Sequence, residues 1–300
     1  MLASRPSVKT PWCHTAGFAA KDGGKPVVRR KKLTYTSHIA HFDRVLAHIT
    51  PVILTYNEAA NIGRSLERLV WAREVVVVDS LSSDDTLAIA GRFPNVRVVQ
   101  RAFDSHARQW RFATAETGVT TDWILRLDAD YMMEPGLRDE IEAATPAPET
   151  SAYRIGFTYC MDGRPLRASL YPAQPLLFRR GRETFVQDGH TEKLRVEGQV
   201  LPLANRLLHD DRKSIERWLQ SQSRYQASEA EKLTTRPWSE LSWPDRLRCT
   251  RVLGPIAVAV HCLFVKGLIF DGSAGLLYTA QRVAADLILS MHLLRRDLAR

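Results

Sequence analysis

From residue 49 onward the chain alternates short aliphatic runs with amphipathic stretches. Ile49-Thr50-Pro51-Val52-Ile53-Leu54 is an apolar run of strand length. Across Glu58–Leu69, Ile62, Leu66 and Leu69 recur at helical spacing. Glu74–Asp79 is almost wholly valine, which suits a parallel strand buried on both faces. Ser80–Thr86 then offers several N-caps for a helix running through Ala90. Asn95–Val99 reads as a strand and Ala107–Glu116 as a helix. Trp123-Ile124-Leu125-Arg126-Leu127 is a strand that runs straight into Asp128-Ala129-Asp130. Strand and helix in strict alternation predict an α/β fold: a Rossmann-like, mostly parallel sheet with right-handed crossovers and flanking helices.

The pattern changes after residue 213. Ile215, Trp218, Leu219, Gln222 and Tyr225 place an amphipathic helix over Ser214–Leu233. Residues 252–270 form an apolar stretch long enough to cross a bilayer, but Pro255, His261 and Lys266 interrupt it. A second amphipathic helix follows over Leu276–Leu294 and closes on Arg295 and Arg296. Tryptophans and arginines flank these helices, so contact with an anionic membrane surface is expected in preference to a span. Packing on the sheet, or an oligomer contact, would use the same pattern. Residues 1–48 carry Pro6, Pro11, Gly23, Gly24 and Pro26 and the basic run Arg29-Arg30-Lys31-Lys32, and read as a flexible basic extension.

Ligands of open α/β sheets bind beyond the carboxyl ends of the strands. Thr55-Tyr56-Asn57-Glu58, Asp79 and Asp128-Ala129-Asp130 all fall at such ends, so three polar clusters are expected to line one crevice. Side chains two apart on a strand share a face, so Asp128 and Asp130 offer paired hard oxygen ligands for Mg²⁺ or Mn²⁺ carrying a diphosphate. D-x-D alone would equally describe a solvated acidic turn. The first strand lacks a G-x-G-x-x-G loop, and neither a P-loop nor a G-x-S-x-G elbow occurs, which disfavours dinucleotide binding, P-loop NTPase and hydrolase chemistry.

Charge narrows the partner. The formal net charge is +9, which favours an anionic partner: phosphorylated substrate, anionic lipid or nucleic acid. Acids at three strand ends repel nucleic-acid phosphates, so nucleic acid is not expected in the crevice. The four cysteines are scattered and form no C-x-x-C pair, and no signal-peptide pattern opens the chain. The expected location is the cytoplasm, peripheral on the inner face of the cytoplasmic membrane.

The strings V-I-L-T-Y-N-E-A-A-N-I, V-V-V-V-D-S-L-S-S-D-D-T and D-W-I-L-R-L-D-A-D resemble the inverting family 2 glycosyltransferases of the GT-A fold. Gly189-His190-Thr191-Glu192 and His209-Asp210-Asp211-Arg212-Lys213-Ser214, with Trp218 and Tyr225, are similar to the subgroup near the lipopolysaccharide core β-1,4-glucosyltransferases. The resemblance implies a catalytic domain over 49–213 and a helical, membrane-interface appendage over 214–300. It implies that Thr55, Tyr56 and Glu58 line the nucleotide pocket and that Asp79 meets base or ribose. Arg108 and Gln109 fall where nucleotide contacts are kept. Asp128 and Asp130 take the metal side, His209 is a further metal ligand, and Arg212 with Lys213 holds the diphosphate. The general base is expected at Asp188, with Glu192 second, although Gln187 stands where an acid is usual.

These roles describe a metal-dependent inverting transferase moving a sugar from a nucleotide sugar, a UDP-sugar by expectation, to a membrane-associated glycan or glycolipid. A sugar nucleotidyltransferase, or a non-catalytic basic protein that binds nucleic acid or membrane, are the alternatives. Nothing in the pattern sets the oligomeric state.

Overall fold

A computed structural model describes residues 45–188 and 191–299 of the protein. The basic run at Arg29–Lys32, Gly189 and His190 lie outside the described residues.

The aliphatic runs become the middle of a sheet. Strands β1 (Ile49–Thr55), β2 (Val75–Asp79), β3 (Val96–Gln100) and β4 (Trp123–Asp128) lie parallel in the order β3-β2-β1-β4. Helices α1 (Ile62–Glu67), α2 (Thr86–Ala90) and α3 (His106–Ala115) make the crossovers. Val75 and Val77 pack with Ile53, Leu125 and Leu127 against Ile62 and Leu66 of α1. Val76 and Val78 face the other way, with Val52 and Ile124, onto Ala107, Trp110 and Ala113 of α3. Burial on both faces is why this strand shows no polar alternation.

Beyond β4 the sheet becomes mixed. The chain continues through β5 (Tyr131–Met133), helix α4 (Pro135–Ala143), β6 (Thr150–Met161), the short β7 (Arg164–Pro165), β8 (Gln174–Arg179) and β11 (Gln199–His209). The order runs on as β4-β8-β6-β11-β5, with β8 antiparallel to both neighbours and β5 antiparallel to β11. Parallel pairing needs a long crossover, and no helix stands between β6 and β8 to make one. Between β8 and β11, β9 (Glu183–Asp188) and β10 (Thr191–Val196) form a separate hairpin. It leans on α3, where Phe185 stacks on Trp110 with ring centroids 6.0 Å apart.

The remaining elements are helical: α5 (Ile215–Thr235), α6 (Trp243–Arg248), α7 (Leu253–Val260) and α8 (Gly272–Leu298). Ser214 caps α5 by accepting from the Arg217 amide. Tyr159, Met161 and Leu166 of the sheet region share one apolar cluster with Cys262, Leu268, Ala274 and Tyr278. Residues 252–270 are not one helix. A π turn (His261–Val265) follows α7, and Gly267 takes φ 69°, a left-handed conformation that ends the run. Among the described residues no single helix is long and apolar enough to cross a membrane, and Leu253–Val265 and Leu268–Leu298 are bent by 71°.

Candidate functional site

Register brings the predicted clusters to one edge. Thr55 lies opposite Asp79, and Leu54 opposite Asp128. His209, the last residue of β11, lies opposite both Tyr131 and Tyr159. Tyr131 follows Asp130 directly, so strand pairing alone carries His209 to the acidic tip.

The loops behind the mouth are braced from below. Asn57 adopts φ 55°, and its Oδ1 accepts from the amides of Ser83 (2.7 Å) and Asp84 (3.3 Å). Asp79 is fully buried and accepts from the Ser82 amide (2.9 Å), the Ser82 hydroxyl (2.5 Å) and Gln100 Nε2 (3.2 Å). Gln109 is also buried; its Nε2 donates to Ser80 Oγ (3.1 Å) and the Arg101 carbonyl (3.2 Å). These two side chains shape the loops, whereas Tyr56 and Arg108 reach solvent, Arg108 with Asp104 as its acidic partner at 3.5 Å. Thr55 Oγ1, at the end of β1, is buried with no hydrogen-bond partner.

The acidic centre holds two charge pairs. Asp130 Oδ2 stands 3.2 Å from His209 Nε2. Burial works to raise the Asp130 pKa, but the His209 imidazole and the Lys213 ammonium outweigh it and hold it at about 2. The His209 ring is enclosed by Tyr159 (4.4 Å), Tyr171 (4.6 Å) and Tyr131 (5.0 Å), and its Nδ1 is buried without a partner. Glu58 Oε1 stands 2.6 Å from Lys213 Nζ. Burial pushes Glu58 up to about 7 against the pull of Lys213, and the nearby Asp130 charge adds to the rise. Asp128, at the end of β4, is half-buried, and its charge acts on Tyr131 and Tyr171.

A network that the sequence does not announce fixes this loop. Asp210 is buried and receives Arg64 Nη2 (2.5 Å), Arg212 Nε (2.8 Å) and the Gly163 amide (3.0 Å). A Cβ at Gly163 would collide with the Arg212 guanidinium. Asn61 Nδ2 donates to Glu58 (2.9 Å) and Asp211 (3.0 Å), while its Oδ1 accepts from the Arg212 amide (3.0 Å). Asn61 stands at the N-cap position of α1 but makes no side-chain cap bond, so its amide is given wholly to this network. Arg212 is therefore tied to Asp210, and Lys213 is the cation that faces the carboxylates.

The two expected bases are not free carboxylates. Asp188 lies between Lys193 Nζ (2.5 Å), Arg236 Nη2 (2.6 Å) and Lys232 Nζ (3.6 Å). Burial opposes, but these cations lower its pKa to about 2. Glu192 is more deeply set, paired with the Arg126 guanidinium and 3.8 Å from His106 Nδ1. Arg126 in turn lies over the Trp110 ring at 4.8 Å. Gln187, the departure from an acid, accepts from the Ala107 amide at 3.1 Å and so satisfies an orphan donor at the start of α3.

Among the described residues no group of three or more His, Cys, Asp or Glu side chains is gathered to hold a metal ion. Of the three expected ligands, Asp130 and His209 meet as a pair. Carboxylate oxygen and imidazole nitrogen are donors that Mn²⁺ accepts, so the donor chemistry fits a divalent cation.

A family profile described as glycosyl transferase family 2 matches residues 50–190, the span that carries β1 to β9. A glycosyltransferase of Rickettsia felis, itself named uncharacterized, is 41% identical over 95 residues, 31% of this chain and 32% of that protein. The lipopolysaccharide core biosynthesis glycosyltransferase LpsC of Rhizobium meliloti is 26% identical over 146 residues, 45% of this chain and 52% of that protein. The chain thus spans about a third to a half of the length of these curated relatives. The crystal structure of S. aureus TarS 1-349 in complex with UDP-GlcNAc covers 84% of this chain and 92% of that chain, with 13% identity and a TM-score of 0.44.

Proposed function

We propose that this protein is an inverting glycosyltransferase that moves a sugar from a nucleotide sugar, a UDP-sugar, to a membrane-associated glycan on the inner face of the cytoplasmic membrane. The observation that carries this reading is the meeting of Glu58, Asp130, His209 and Lys213 at the carboxyl edge of the parallel strands, beside an unmet Thr55 hydroxyl. Binding at that edge is the rule for open α/β sheets. The likeness to a lipopolysaccharide core transferase supports that glycan class as acceptor.

Asp130 and His209, with Asp128 on the same strand end, would hold a divalent cation, Mg²⁺ or Mn²⁺, and such an ion would supply positive charge for the departing diphosphate. The protein's own groups do the rest. Tyr56 covers the base at the mouth, with Asp79 and Gln109 setting the loop beneath it. Lys213 turns from Glu58 toward the diphosphate, and Arg212 stays as the brace that positions it. Transfer with inversion needs one base to take the proton from the acceptor hydroxyl as that oxygen attacks the anomeric carbon. Asp188 is that base, because two of its three cations, Lys193 and Arg236, are solvent-reaching and can be drawn off by anionic groups of the acceptor. Glu192 is the scaffold acid, since its partner Arg126 is buried.

A thermal-shift screen of nucleotide sugars with and without Mn²⁺ tests the reading. One donor is expected to raise the melting temperature only when the ion is present. No shift with any nucleotide sugar, in either condition, counts against it.

A further inference from the structure

The bent helix pair presents an apolar face that the sheet does not cover. Ile256, Val260 and Phe264 recur every four residues along α7 and its π turn, and Val265, Ile269 and Phe270 extend the stripe around the bend. Phe264 is 65% exposed and Phe270 74% exposed. The opposite side of the same segment is closed: Cys262, Leu268, Ala274 and Tyr278 pack on Tyr159 and Leu166. A contiguous apolar patch of this kind marks an interaction surface.

Charge identifies the occupant. Lys266 sits within the patch and has no ion pair among the described residues. The acids of this region are already taken, Asp271 by Arg167 (2.8 Å), Asp286 by Arg248 (3.3 Å) and Asp297 by Arg251 (2.9 Å). Trp238 and Trp243 stand exposed before the patch, the residue type that favours a headgroup layer. A second copy on this face would bring together two chains that each carry +9. An anionic leaflet meets both the apolar stripe and the lysine.

We infer that this face is a docking surface for an anionic lipid leaflet, lying in the interface with the bend innermost. The two arms meet at 71° across the break that holds the left-handed Gly267, so the stripe turns a corner at the bend. The surface is fastened to the site. The Leu170 amide donates to the Tyr278 hydroxyl at 2.8 Å, the Tyr278 ring is 4.9 Å from Tyr159, and Tyr159 is 4.4 Å from His209. Docking therefore holds the crevice at a fixed height above the leaflet, within reach of a membrane-borne acceptor. That last consequence rests on the transferase reading; docking itself does not.

Vesicle flotation of the full chain tests the inference, using phosphatidylcholine alone and phosphatidylcholine with phosphatidylglycerol. The protein is expected to float with the anionic vesicles. Phe264→Glu combined with Phe270→Glu alters two exposed positions and is expected to reduce flotation by about tenfold or more. Lys266→Glu alone is expected to reduce it several-fold, with the remainder sensitive to salt. Stabilisation by UDP and Mn²⁺ should be unchanged in all variants, which separates a lost surface from a lost site. Flotation unaffected by the double substitution overturns the inference. So does a wild-type protein that ignores both vesicle types, or a dimer that the double substitution dissociates while vesicles bind neither form.

Discussion

Two sets of acidic side chains belong to one structure and are handled in opposite ways. Around β1, β4 and β11, Glu58 and Asp130 face one ammonium, Lys213, and one imidazole, His209, with buried polar atoms left unmet beside them. Around the β9–β10 hairpin, Asp188 and Glu192 meet Lys193, Lys232, Arg236 and Arg126. The first set is short of positive charge and the second has it in hand. A ligand that brings a cation is accommodated by the first; in the second, the ion pairs tie the hairpin to α5 and the sheet, and Asp188 becomes available only when Lys193 and Arg236 are drawn off.

The largest expected effect breaks the first set. Asp130→Ala should lower sugar transfer about a thousandfold, the scale of losing one preorganised charge contact at a leaving group. Circular dichroism should show the fold retained. Turnover within a fewfold of wild type would remove Asp130 from the reaction. Glu192→Ala should do the reverse. It leaves the buried Arg126 uncompensated and should cost about 3 kcal/mol of stability in urea unfolding. Should Glu192→Ala instead leave stability unchanged and abolish transfer, the roles given to the two hairpin acids would be exchanged.

Asp188→Asn comes next. It should reduce transfer about a hundredfold, the scale of a general base, while UDP and Mn²⁺ still stabilise the protein. Loss of UDP binding together with transfer would place Asp188 at the donor, not at the acceptor hydroxyl.

The sequence carried the first half of this comparison further than the second. Valines on both faces of β2 demand a two-sided core, so a parallel sheet follows from Val75–Val78 alone. The strand ends then follow, and with them Thr55, Asp79 and Asp128. The meeting of His209 with Asp130 needs the pairing of β11 with β5, which no local periodicity encodes; only the resemblance pointed there. Mixed pairing after β4 was likewise hidden, because an alternating strand reads the same in either direction. The surroundings of Asp188 were out of reach for the same reason: Lys232 and Arg236 arrive from the end of α5, and their helical spacing says nothing of which carboxylate they meet. The bonds of Asn61 to Glu58, Asp211 and the Arg212 amide were hidden for the same reason, since two of the three partners lie about 150 residues away.

The smallest effect sharpens the contrast through pH. Asp188 titrates at about 2 in the folded protein, below its ordinary 3.8, so as acid is added the unfolded chain takes the proton first. The stabilisation from its ion pairs is complete above about pH 4 and drains away as the pH falls toward 2. Asp188→Asn removes that contribution at every pH. The stability gap between wild type and variant, followed by urea unfolding at a series of pH values, should therefore be widest at neutral pH and close between pH 4 and pH 2. A gap that stays constant through that window would mean that Lys193, Lys232 and Arg236 do not hold Asp188 in solution. The hairpin acid would then be as available as those at the mouth of the sheet.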